Sequence, residues 1–159
     1  MPIENNRLYP PDPFVMNEDE VNMHVANYLK SKGFYDVKYL TGKSRGVDVH
    51  GKKDCIEVFV ESKGSHANHH GKDIVLVNSH LWDHLCKQIC KLIEYRDKYN
   101  DKKIILIAAN PDIPRIRRNI GKIEKSIEDL NIVRMWIKEN GDVILNIPQL
   151  LKKEVINIL

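Results

Sequence analysis

The run Ile104-Ile105-Leu106-Ile107-Ala108-Ala109 constrains the fold more than any other segment. Six consecutive apolar residues are too few to span a bilayer. Lys102-Lys103 before the run and Asn110-Pro111-Asp112 after it mark its ends. Such a segment reads as a strand buried on both faces, which needs helices above and below its sheet. The sequence supplies them. Asn17 has the chemistry of an N-cap, and Glu18-Asp19-Glu20 that of an acidic first turn. Val21, Val25, Tyr28 and Leu29 follow at helical spacing, predicting a helix over 18–32. Leu85, Gln88, Ile89 and Leu92 share one face of a second predicted helix, over 82–99. Ile116, Ile120, Ile123 and Ile127 form the apolar stripe of a third, over 114–129. Extended segments are expected at 34–40, 46–50, 55–63 and, briefly, 74–77. Two more, 132–138 and 143–147, flank Asn140-Gly141, a strong hairpin signal, and residues 149–159 read as a short closing helix. The order α-β-β-β-α-β-α-β-β predicts an α/β fold with a central mixed sheet flanked by helices.

Composition narrows the functional classes. The 159 residues are 42% hydrophobic and 30% charged, with 8 Gly and 7 Pro, which excludes collagen-like, low-complexity and wholly disordered chains. Pro2, Pro10, Pro11 and Pro13 predict an extended N-terminal arm over 1–16, leaving 17–159 as a single domain. Met1 to Pro13 holds no apolar core of a secretory signal, and no membrane partner is expected. Three cysteines, an odd number, argue against a disulfide framework and for a reducing, cytoplasmic setting. A net charge of +3 permits a polyanionic partner without demanding one.

The densest chemistry lies in Gly46-Val47-Asp48-Val49-His50 and in Cys55-Ile56-Glu57-Val58-Phe59-Val60-Glu61-Ser62-Lys63-Gly64. Alternation along paired strands puts Val47, Val49, Ile56, Val58 and Val60 on one face. Asp48, His50, Glu57, Glu61 and Lys63 then share the other. Crowded carboxylates repel unless a cation intervenes. A few hard oxygen donors suit Mg2+ or Mn2+, which keep several waters and accept phosphate oxygens. Lys63 points the same way as Glu61, where a lysine would orient an attacking water, deprotonate it if itself neutral, and as an ammonium stabilise charge on phosphorus. The competing reading is a solvated strand face, its charges paired with cross-strand neighbours.

Asp48, a hairpin, and Glu61-Ser62-Lys63 beginning thirteen residues after Asp48 resemble the PD-(D/E)xK nuclease superfamily, which includes restriction endonucleases and archaeal Holliday-junction resolvases. Gly46-Val47-Asp48-Val49 and Val60-Glu61-Ser62-Lys63-Gly64 are similar to its strand signatures, with Val47 in place of the eponymous proline. The resemblance runs over about residues 17–109. It implies a restriction-endonuclease-like αβββαβ core, to which this chain adds a helix and a C-terminal β-hairpin. It implies an Mg2+-dependent endonuclease acting on DNA, its metal held by Asp48, Glu61 and the backbone carbonyl of Ser62, with Lys63 serving the nucleophilic water. It also implies site roles for Glu18 and Gln88. Glu18 is chosen over Glu20 because it extends the Val21-Val25-Leu29 stripe. Plainer alternatives stand beside both: the helix dipole favours an acid in a first turn, and Gln88 has strand-end carbonyls to bond. A homodimer, with the apolar C-terminal segment as pairing surface, is a further expectation.

Arg115, Arg118, Lys122 and Lys125 recur opposite the isoleucine stripe of the predicted 114–129 helix. That ridge either tracks a phosphate backbone or is a solvated face. Lys43 and Arg45, just before Asp48, are better placed beside a scissile phosphate. His80/His84 and Cys86/Cys90 are i,i+4 pairs of zinc-chelating type, but they point in different directions, so one tetrahedral site cannot use all four. Two other functions stay open: a catalytically inactive nucleic-acid-binding module on the same fold, and a zinc-stabilised interaction domain.

Overall fold

The computed structural model describes residues 2–67 and 69–159. In chain order its elements are β1 (Pro2–Glu4), a 3-10 turn (Asn5–Arg7), α1 (Glu18–Ser31), β2 (Tyr35–Tyr39), β3 (Val49–Lys53), β4 (Ile56–Ser62) and β5 (Ile74–Leu76). Then come α2 (Asn78–Lys98), β6 (Ile104–Pro111), α3 (Pro114–Gly121), α4 (Glu124–Asp129), β7 (Ile132–Ile137), β8 (Val143–Asn146) and α5 (Lys152–Val155). Six strands form one sheet in the order β2-β3-β4-β6-β7-β8. Pairing is antiparallel from β2 to β4, parallel across β4-β6-β7, and antiparallel again at β7-β8.

The apolar run in β6 accounts for the layering. Ile105, Ile107 and Ala109 face a core shared with Val21, Val25 and Leu29 of α1. Leu106 and Ala108 face a second core with Leu85 and Leu92 of α2, Ile116 of α3 and Ile127 of α4. The result is the expected α/β architecture, a mixed central sheet with helices on both faces and a C-terminal β-hairpin. α1 begins where its cap chemistry dictates: Asn17 accepts from the Glu20 amide while the Glu20 carboxylate accepts from the Asn17 amide, each at 2.8 Å.

Two expectations need correction, and the N-terminal arm gains a partner. The hairpin strand predicted at 46–50 lies at 49–53, because Gly46 takes φ 136°, a glycine conformation that interrupts the extended chain. Asp48 is therefore the residue just before β3, and Val47 packs against the second core instead of joining Val49 in the first. The helix predicted over 114–129 is two helices, since Ile123 leaves helical geometry at φ −128°, ψ 17°. The N-terminal arm is docked. β1 pairs antiparallel with β5, Met16 is buried, and the Asp12 carboxylate is buried against Arg115.

β4 leaves the sheet directly under the start of α1. The Ser65 amide donates to Met16 O at 2.8 Å, and a Cβ on Gly64 would lie 2.7 Å from backbone atoms of Met16, Asn17 and Glu18. Gly64→Ala must therefore lift the first turn of α1, with an expected loss of about 2 kcal/mol in urea unfolding. Gly71→Ala, whose nearest neighbour would be 4.0 Å away, is the matched control. An unchanged midpoint for Gly64→Ala would contradict this packing.

Candidate active site

The two hairpin strands and α1 bring four charged side chains together at one end of the sheet. Val49 pairs with Val60, so one further step along the register sets Asp48 opposite Glu61. The Asp48 carboxylate accepts from the Ser62 amide at 2.8 Å, which ties the loop before β3 to the end of β4. Lys63 Nζ lies 3.4 Å from Glu61 Oε1 and 3.4 Å from Glu18 Oε2. Glu20 is spent on the helix cap, so of the two acids Glu18 is the one that reaches Lys63. Asp48 and Glu61 are 7% and 8% exposed, whereas the Glu18 side chain is 37% exposed, so the cluster opens to solvent on the α1 side.

The electrostatics follow from that crowding. Burial first, and the Glu61 charge second, push Asp48 up to about 7. Burial also raises Glu61, against the lowering pull of Lys63 and of the Tyr95 hydroxyl, which donates to Glu61 Oε2 at 3.0 Å. For Lys63, burial works to lower the pKa, but Glu18, Glu61 and Asp48 together raise it above the ordinary lysine value. The three acids thus favour the ammonium form of Lys63, a hydrogen-bond donor.

Gln88 is fully buried and takes the plainer of its two roles. Its amide nitrogen donates to Glu61 O at 2.8 Å and to Ala109 O at 3.1 Å, and its oxygen accepts from Asn110 at 3.3 Å. It is a positioning residue that locks the ends of β4 and β6, not a group free to touch substrate. Of two further site neighbours, Tyr95 is not singled out by the sequence and His84 is singled out only as half of an i,i+4 zinc-type pair. Tyr95 lies two helical turns beyond Gln88 on the inward face of α2. His84 lies one turn before it, with Nδ1 buried and without a hydrogen-bond partner, and its pKa is lowered by burial and then by the Lys63 charge. The readable signal was a polar series at helical spacing, His84-Gln88-Tyr95, inside the Leu81-Leu85-Leu92 stripe.

Other candidates sit apart. His50 and Glu57 share the site's face, but they pair with each other at 3.0 Å, and Phe59 lies against the His50 ring. Arg115 is buried, not part of an exposed ridge: it grips Asp12 through two nitrogens, at 2.7 and 2.5 Å, and donates to Leu76 O at 2.8 Å. Arg118, Lys122 and Lys125 are exposed, although the break between α3 and α4 interrupts their ridge and Lys122 lies over the Trp82 ring. Lys43 and Arg45 are exposed on the loop before Asp48, and Asp19 holds that loop to α1 by accepting from the Gly42 amide at 3.0 Å.

Among the described residues no group of three or more His, Cys, Asp or Glu side chains is arranged to hold a metal ion, and no helix is long and apolar enough to cross a membrane. Two carboxylates and one strand carbonyl, all hard oxygen donors, nonetheless fit Mg2+ or Mn2+, which retain much of their water shell. Comparison of the chain with family models, curated proteins and solved structures returns no match.

Proposed function

We propose that this chain is a metal-dependent nuclease that hydrolyses phosphodiester bonds in DNA, built on a restriction-endonuclease-like core. The observation that carries the reading is the convergence of Asp48, Glu61 and Lys63, with Lys63 bracketed between Glu61 and Glu18. The order α1, β2-β3-β4, α2, β6, leaving aside the short β5 that pairs with β1, is compatible with the αβββαβ core of that fold. Asp48, Glu61 and the Ser62 carbonyl are the residues that would hold Mg2+ or Mn2+; bound there, the ion supplies Lewis-acid polarisation of a phosphate oxygen. The residues of the chain do the rest. Gln88 fixes the backbone at Glu61, and Tyr95 orients the Glu61 carboxylate. Lys63, kept protonated by its three acids, aligns the attacking water and donates to the charge that builds on phosphorus.

Metal titration tests the ligand set. Wild type is expected to bind Mn2+, and Asp48→Asn and Glu61→Gln to lose that binding; undiminished affinity in Asp48→Asn removes it from the site.

A pH prediction has a definite sign. The folded-state pKa of Asp48, about 7, lies above its ordinary value of 3.8, so the folded protein holds the extra proton between those values. The stability it contributes is complete below pH 3.8 and is lost as pH rises through 7. In EDTA, wild type should therefore gain about 1 kcal/mol relative to Asp48→Asn between pH 8 and pH 6. Saturating Mg2+ should cancel the gain, because metal binding requires the carboxylate. Thermal melts followed by circular dichroism read both effects.

A further inference from the structure

The sheet face that carries the site continues past it as a basic strip that is buried at Phe59 and opens toward β2. Beyond the Asp48–Glu61 row, the next row on that face holds Lys38, His50 and Phe59, and the one after it holds Tyr35, Lys52 and Glu57. α2 packs over β4 and β6, while β2 is mostly exposed and His50 and Lys52 of β3 are partly buried. The Lys38 side chain is 77% exposed and that of Lys52 36%. Lys98 and Lys102, at and beyond the end of α2, overhang the same rows. Their ammonium groups sit 5.3 and 5.5 Å from the centroid of the Tyr99 ring, and Tyr99 stacks on Phe59 at 4.6 Å.

The acids on the strip are outnumbered. Asp36 is shared by Lys38 and Lys52, at 3.9 and 3.7 Å. Glu57 is shared by His50 and Lys102, at 3.0 and 3.5 Å. Asp101, in the turn after α2, is followed directly by Lys102 and Lys103. Three carboxylates among five lysines leave a positive surplus that leads away from the site. At a strand rise of about 3.4 Å per residue, the Lys52–Glu57 row lies ~13 Å from the Asp48–Glu61 row, roughly the rise of four base pairs along a duplex axis. Of the strip's rings, Tyr99 stacks on Phe59 and is capped by lysines while Tyr35 is exposed at its far end, and among the described residues no helix projects from the strip to enter a groove. This surface offers charge to a backbone and little to a base edge.

We propose that this strip binds the phosphate backbone of a nucleic-acid duplex on one side of the scissile bond, without regard to sequence. The proposal rests on the nuclease reading for its orientation, and its test reads binding without cleavage so that the two fail separately. The probe is a fluorescein-labelled, mixed-sequence DNA duplex, followed by fluorescence anisotropy in EDTA over a KCl series. The proteins are full-length wild type, Lys98→Gln/Lys102→Gln and Arg118→Gln/Lys125→Gln, with folding checked by circular dichroism. Wild-type affinity should fall with salt. The Lys98/Lys102 pair should weaken binding about tenfold or more and reduce the log–log salt slope by about 2. The Arg118/Lys125 pair should stay within about twofold of wild type, and a second duplex of unrelated sequence should behave alike. Unchanged binding by the Lys98/Lys102 variant, an equal loss in the Arg118/Lys125 variant, a strong preference between the duplexes, or no binding by wild type would each overturn the proposal. Cleavage is scored separately: a Lys63→Ala protein that cuts as fast as wild type removes the nuclease reading while leaving the binding result intact.

Discussion

Lys63→Met is expected to fold, to bind divalent metal, and to cleave roughly a thousandfold more slowly than wild type. Methionine keeps the length of the buried stem and deletes only the ammonium, which lies 3.4 Å from Glu61 and from Glu18. Removing that cation also takes a competing positive charge away from Asp48 and Glu61. Mn2+ affinity above pH 7 should therefore be equal to wild type or tighter. The combination is diagnostic. Damage to the metal ligands would lower affinity and rate together, whereas loss of the water-aligning donor lowers rate alone. Single-turnover cleavage and Mn2+ titration on the same preparation make the comparison; a Lys63→Met rate within a few-fold of wild type would refute the assigned role.

The second large effect concerns stability. Arg115 is held against Asp12 from the N-terminal arm, the two side chains being 8% and 1% exposed. Arg115→Met leaves the Asp12 carboxylate buried without its counter-charge, which costs about 3–5 kcal/mol. The arm should come loose with it, since Arg115 also bonds the Leu76 carbonyl of β5, the strand that β1 pairs with. Urea unfolding measures the loss, and early proteolysis within residues 2–16 locates it. Asp12→Leu/Arg115→Met, which removes both charges, should recover much of the deficit. A loss below about 1 kcal/mol in Arg115→Met would show that the pair is not a structural clamp. Because Arg115 is buried, this variant should leave the salt dependence of duplex binding untouched while it remains folded.

Much of this arrangement is legible along the chain because it depends on local periodicity. Asn17 through Leu29 carries both the cap and the stripe of α1, and Asn140-Gly141 marks the β7–β8 turn. Alternation in 55–63 is enough to place Glu57, Glu61 and Lys63 on the opposite side from Ile56, Val58 and Val60. The preference for Glu18 over Glu20 also follows from helical spacing. What escaped reading depends on partners distant in sequence. Asp12 and Arg115 meet across 103 positions, and neither carries a local sign of burial. A proline-rich, polar arm reads the same whether docked or free. The break at Ile123 is hidden because Ile116, Ile120, Ile123 and Ile127 keep helical spacing through it, and packing against one core holds the stripe after the backbone has turned. Gln88 shows the limit of inferring a site role from a polar residue among leucines. Its partners, the carbonyls of Glu61 and Ala109, come from two strands whose adjacency appears only in the sheet.

The central claim is that Asp48, Glu61 and Lys63 form one metal-dependent hydrolytic site, and cleavage itself tests it most directly. Purified protein is incubated with end-labelled duplex, junction, flap and single-stranded DNA and with RNA, in Mg2+, Mn2+ or EDTA, beside Asp48→Asn. Cutting of at least one DNA substrate in Mg2+ or Mn2+, leaving a 3′-hydroxyl and abolished both by EDTA and by Asp48→Asn, is the predicted result. Cutting that persists in EDTA or in Asp48→Asn, or no cutting of any substrate, would contradict it.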